Sequence, residues 1–327
     1  MVRSGTLLML TSTVAALAGC SGGHGAASPP AWARQPGVYE VRVVSALTHP
    51  HPHIEAGPPQ QIWIDTATGR FRIVSEPVRQ MHGIRIVADF DGTSGTRVYP
   101  GHGPQLERYD GSPRFIVNQI GGEALRTARA FLAGSPPPRG VSLRIVTAGP
   151  PAHLVATTGL QRLRITIERV PPATASFAAL TGHLVQTVRQ LRPGERPPAA
   201  IRAYWLGPSW RGSAPRSSSA SVGQVSQYTI GYPHLDIEVD QSLGGVGGGP
   251  VTLADGTHGT IDVARIAPDG SVDFGDSSSF MVIESASDGL PHGSLAVVSV
   301  SGATIILSGS AVNAASAAAI ARALRPL

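Results

Sequence analysis

Apolar and charged side chains alternate in short runs along the first half of the chain. Tyr39, Val41 and Val43 are separated by Glu40 and Arg42; Ile62 and Ile64 repeat the spacing, as do Phe71 and Ile73 between Arg70 and Arg72. Ile84, Ile86 and Ala88 follow the same rule, and so do Leu163, Ile165 and Ile167 between Arg162, Arg164 and Glu168. Successive side chains of a strand point to opposite faces, so these runs predict a sheet with one apolar and one wet face. Asp65-Thr66-Ala67-Thr68-Gly69 has the side-chain acceptor and the glycine of a hairpin turn, and Asp89 to Gly92 with Gly95 predicts a second, leading to a strand at Val98 and Tyr99. The period changes between Gly121 and Leu132, where apolar residues at 125, 128, 131 and 132 predict a helix; a second helix is predicted from Phe177 to Leu191.

Arg192-Pro193-Gly194-Glu195-Arg196-Pro197-Pro198 breaks the pattern and reads as a linker. Beyond it, Tyr204-Trp205 opens a second region, and the Ser- and Ala-rich run from Ser213 to Ser221 is expected to loop out. Strands are predicted at Gln227 to Ile230, Leu235 to Val239, Thr260 to Ile266, Ser279 to Ile283, Leu295 to Val300 and Thr304 to Leu307, with tight turns at Asp269-Gly270 and Ser301-Gly302. A closing helix from about Asn313 to Leu324, capped by Ser310 or Asn313, has Ile320 and Leu324 on one face. The fold class is therefore α+β with mainly antiparallel sheet.

The start of the chain has a different character. Arg3 precedes an apolar run from Leu7 to Leu17, too short for the ~20 residues of a membrane span and followed by Ala18-Gly19-Cys20 and Ser21-Gly22-Gly23. Leu17-Ala18-Gly19-Cys20 resembles the lipobox of bacterial lipoproteins, in which the thiol is joined to a lipid and the chain is cut before the cysteine. The resemblance implies a signal peptide over 1–19, an acyl-bearing anchor at Cys20, and a place on the cell membrane facing the exterior or periplasm. Residues 20–36, rich in Gly, Ala, Ser and Pro, are expected to tether a first domain over 37–191, joined by a linker at 192–200 to a smaller α+β domain over 201–327.

Composition sharpens this by exclusion. All 26 basic residues are arginine, and without lysine there is no Walker A loop, protein-kinase site or pyridoxal imine. The single cysteine, if lipidated, leaves none for disulfides, zinc or nucleophilic attack. Residues 37–200 hold 18 Arg against 11 acids and residues 201–327 hold 6 against 10, so the two parts carry +7 and −4. The arginines are expected to alternate onto the wet face of the sheet; no basic helix or zinc finger points to nucleic acid.

The strand, Trp63-Ile64-Asp65, two residues, Thr68-Gly69-Arg70, strand sequence resembles a hairpin of the lipoprotein carrier and sorting superfamily, which includes LolA-like, LppX-like and RseB-like envelope proteins. That resemblance, over residues 37–190, implies a curved sheet forming a half barrel, with helices plugging its mouth and room for an acyl chain between. The residues expected to line such a ligand are Val41, Val43, Ile62, Ile64, Phe71, Ile73, Ile84 and Ile86. The ligand would be a lipid or comparable apolar molecule in a cavity of several hundred Å³; the alternative is an envelope interaction or sensor protein whose side chains fill that space. No cofactor is called for. His49-Pro50-His51-Pro52-His53 puts alternate imidazoles on one face but lacks a companion carboxylate, so no metal is expected there. Gly275-Asp276-Ser277-Ser278 lacks a partner histidine motif, and Gly244 to Gly249 leads into Pro250 and a strand-like Val251-Thr252-Leu253 rather than a helix, so neither predicts an enzyme.

Overall fold

The computed structural model describes residues 30–49, 56–76, 85–101, 103–159, 161–175, 177–241, 248–266, 272–273 and 293–327. The expected signal peptide, Cys20, His51, His53, Ile84, the strand at Ser279 to Ile283, the Asp269-Gly270 turn and Gly275 to Ser278 lie outside them. The described residues are mostly antiparallel strand with three short α-helices, an α+β arrangement. They divide into two compact units: 30–201 with Ser218–Tyr228, and Arg202–Ser217 with Thr229–Leu327.

In the first unit, β1 (Val38–Leu47), β2 (Gln60–Asp65), β3 (Phe71–Ser75), β4 (Val87–Phe90), β5 (Gly95–Gly101) and β6 (Gly103–Asp110) pair in succession as an antiparallel meander. The β2–β3 turn forms as the sequence predicts, with the Asp65 carboxylate accepting the Ala67 amide at 2.9 Å. Two helices follow, α1 (Pro113–Ile120) and α2 (Gly122–Ala133). A second meander comprises β7 (Ser142–Thr147), β8 (Ala152–Thr157) and β9 (Gln161–Val170), and β9 pairs with β1 along its length, joining the two. β10 (His183–Leu191) lies parallel to β6. The chain departs as β11 (Tyr204–Trp205) and returns as β12 (Ser217–Gly223), antiparallel to β10. The strand order is thus β7-β8-β9-β1-β2-β3-β4-β5-β6-β10-β12.

Four local expectations are corrected. Phe177 to Leu191 is not a helix: residues 177–182 are irregular and β10 is a strand, because flanking β6 and β12 both offer backbone partners and Val185, Thr187 and Val188 suit a pleated surface. Ser213 to Ser221 does not simply loop out, since Ser218, Ser219, Ala220 and Ser221 are buried in β12 and the Gln186 amide donates to Ser221 Oγ and to Val225 O. Helix α1 is unforeseen; Ser112 caps it by accepting the Phe115 amide, with Pro113 at its first position. The tether does not extend to residue 36, because Ala31–Arg34 forms a 3-10 turn docked on the unit: Ala33 is buried, the Trp32 indole donates to Ala148 O at 2.8 Å and the Tyr39 hydroxyl donates to Trp32 O at 2.9 Å.

The second unit takes in the last part of β13 (Gln227–Tyr232) and all of β14 (Leu235–Asp240), β15 (Gly249–Thr252), β16 (His258–Ile266), β17 (Val272–Asp273), β18 (Gly293–Val300) and β19 (Ala303–Ser308). Its pairings run β15-β16-β18-β19-β14, all antiparallel, with β17 on the end of β16. Asn313 Oδ1 accepts the amides of Ala315 and Ser316 in a turn, so α3 is shorter than expected at Ala317–Ala323. It lies against β15 and β16, burying Ala317, Ile320 and Ala321, and ends at β20 (Arg325–Pro326), which pairs with β11.

Candidate functional site

The register of the first sheet gathers its apolar positions into cross-strand rows. One runs Ala152, Ile167, Val41, Ile62, Ile73, Ala88 from β8 to β4; beside it Tyr39, Ile64, Phe71 and Phe90 line up from β1 to β4. Neighbours in such rows are close enough to pack directly, and the Phe71 and Phe90 ring centroids are 5.4 Å apart.

This face is covered by the helices. Phe115, Ile116 and Ile120 of α1 and Ala124, Leu125, Ala128, Phe131 and Leu132 of α2 belong to the same buried cluster as the sheet rows. α1 sits directly on the backbone of β5: a Cβ added at Gly95 would lie 2.4 Å from Ile116 Cγ2, so only glycine allows this approach. Six of the eight candidate residues lie together here: Val41, Ile62 and Phe71 are 0 % exposed, Val43 1 %, Ile64 2 % and Ile73 8 %. Ile86 does not join them; it is half-buried just before β4, where its backbone exchanges hydrogen bonds with Ser75. Leu143 and Ile145 of β7, the strand at one end of the sheet, and Val188 of β10, next to the other end, are only partly buried, so cover is thinner there.

Several arginines expected on the wet face are covered rather than solvated: Arg70 and Arg72 keep to the outer face but are overlaid there, and Arg97, opposite Ala88, lies on the apolar face. Arg42 does follow the expectation, on the outer face with Glu40 at 2.7 Å and Glu168 at 3.1 Å. Arg72 and Asp89, opposite each other on β3 and β4, form a buried pair at 3.2 Å. Burial raises the Asp89 pKa, opposed by the hydrogen bond and charge of Arg72. Arg72 also donates to Ala178 O, while Arg70 donates to Phe177 O at 3.0 Å and stacks on that ring, so the pair straps the irregular segment after residue 176 onto the sheet. Arg97 donates to Tyr99 Oη at 2.9 Å and to Gln119 O of α1 at 3.0 Å, and the Tyr109 hydroxyl donates to Glu107 at 2.6 Å. Burial raises the Tyr109 pKa well above its ordinary value, so its hydroxyl stays a donor. This network bolts α1 to β5 and β6.

His49 is exposed just after β1, and no group of His, Cys, Asp or Glu among the described residues is set to hold a metal ion. At the end of the glycine run Gly248 precedes β15, and a Cβ there would meet Ile261 O at 2.3 Å, so this glycine serves close strand approach. No family model matches this chain, and no curated protein matches it.

Proposed function

We propose that the protein is a lipid-anchored, non-catalytic component of the cell envelope that presents its surfaces to an envelope partner, with its own helices occupying the apolar face of the first unit. The observation that carries this reading is the burial of Val41, Val43, Ile62, Ile64 and Phe71 in one cluster with Ile116, Leu125 and Phe131. A strand order running from β7 to β12, with α1 and α2 inserted between β6 and β7, is consistent with a half barrel and helical plug, as the LolA-like resemblance implies. Anchoring rests on Leu17-Ala18-Gly19-Cys20. Its test is Cys20→Ser, which should move the protein out of the membrane fraction; quantitative sedimentation with membranes after a salt wash would overturn the anchor.

A second reading, an apolar ligand held under the helices, draws on the thin cover at Leu143, Ile145 and Val188 and on the junction of α1 and α2 at Gly121-Gly122, where φ of Gly122 is 59°. The ligand would have to displace side chains that now fill the space. Native mass spectrometry and solvent extraction of protein made in a host with a similar envelope separate the two. The partner reading expects no stoichiometric lipid beyond the anchor; one extra lipid per chain would put the ligand reading first.

A further inference from the structure

The second unit contains a cleft of about 460 Å³ whose lining differs from the rest of that acidic region. Two of the six arginines of residues 201–327, Arg211 and Arg216, line it together with His234, Ser213 and Ser310, and no Asp or Glu is among the lining residues. Trp210 forms an apolar wall, with the Arg211 guanidinium 4.7 Å from its ring centroid.

The backbone makes the same place unusual. Among the described residues only two that are not glycine have positive φ, Arg211 at 49° and His234 at 70°, and both line this cleft. Arg211-Gly212 is the two-residue link of a tight hairpin in which Trp210 and Ser213 exchange backbone hydrogen bonds at 2.9 and 3.0 Å. Pro233-His234 links β13 to β14, with the histidine in the second position. Both are turn positions that favour Gly, or Asn and Asp, because a Cβ crowds the following carbonyl there; arginine is rare at such a position and histidine less so. His234 is nevertheless held firmly: its carbonyl accepts the Ala311 amide at 2.9 Å and its Nδ1 lies 3.0 Å from Ser310 Oγ. Strained residues that persist in one site point to a use for their side chains.

We propose that this cleft binds a small phosphate-bearing ligand. Guanidinium forks match phosphate oxygens, the imidazole and hydroxyls supply further donors, and the indole faces the uncharged remainder of the molecule. The volume suits a phosphorylated small molecule or a phospholipid headgroup rather than a bare anion alone.

The test uses the full mature chain with Cys20→Ser, so that no acyl anchor contributes. Glycerol phosphate is titrated calorimetrically, and flotation is measured with vesicles of phosphatidylcholine with and without phosphatidylglycerol. Saturable binding of glycerol phosphate identifies a soluble ligand; flotation only with phosphatidylglycerol identifies a headgroup. Arg211→Asn and His234→Asn suit the left-handed backbone, so each should keep or raise the melting temperature while weakening whichever binding is seen by about tenfold or more. Absence of saturable binding in both formats at millimolar phosphate would overturn the proposal. So would binding that both variants retain. A fall in melting temperature in both variants would assign the two side chains to holding the fold and equally count against the site.

Discussion

Replacing Leu125 with Ala tests whether the helices fill the sheet face or stand over a gap. Leu125 is 0 % exposed, on the side of α2 that joins the cluster of Val41, Ile62 and Phe71. Removing three carbons forfeits roughly 2–3 kcal/mol of transfer free energy at ~0.8 kcal/mol per methylene. The void left among tightly packed neighbours raises the cost to about 3–4 kcal/mol. Because the chain has two units, a global melt mixes their contributions, and hydrogen exchange read by mass spectrometry on peptides from β1 and β2 is the better assay. A loss of 3 kcal/mol appears there as roughly hundredfold faster exchange. Asn118→Ala, exposed on α1, is the control and should shift exchange less than about twofold to threefold, within ±0.5 kcal/mol. If Leu125→Ala behaved like that control, the side chain would border unfilled space, and the partner reading would lose its main support.

Acid should act on the β4–β5 turn. Burial raises the Asp91 carboxyl, but the amides and hydroxyls of Ser94 and Thr93 outweigh it and bring the pKa down from 3.8 to about 2. A depressed acid contributes stability that is present above its unfolded pKa and lost as pH falls through the folded one, so the melting temperature should drop between about pH 4 and pH 2. Asp91→Asn should flatten that part of the curve, and an unchanged slope would refute the assignment. A glutamate-specific endoproteinase cutting after Glu195 should nick the chain without separating it, since β12, downstream of the cut, pairs with β10 upstream. The fragments should co-elute in gel filtration and part only in denaturant; elution as two species would show that this pairing does not hold the chain.

The alternating runs were legible because each strand states its own face: Tyr39, Val41 and Val43 are separated by charges and lie inside with Arg42 outside, although Glu40, tied to Arg42 and Gln61, is buried too. β10 and β12 carry no such statement. Leu184, Val188 and Leu191 have a spacing that serves a helix as well, and only β6 and β12, distant in sequence, decide for the strand. Ser218 to Ser221 lack the bulk that marks a buried strand, and what places β12 beside β10 is the backbone ladder, which side-chain type does not announce. Charge misled for a related reason: Arg72 keeps to the outer face but Asp89 and the Ala178 carbonyl meet it there, while Arg97 continues the apolar row beside Ala88 and is held by Glu107 and a helix C-terminal carbonyl, so arginines that looked solvated became internal ties. The second-unit cleft follows the same logic. Its signal lies in two short links, Arg211-Gly212 and Pro233-His234, where a cation and an imidazole occupy turn positions that cheaper residues would fill. Each alone reads as an ordinary surface turn. Their meaning depends on their meeting at one cleft, a non-local fact that no window along the chain contains, and this is why a departure from turn chemistry points to a ligand here only once the fold has brought the two turns together.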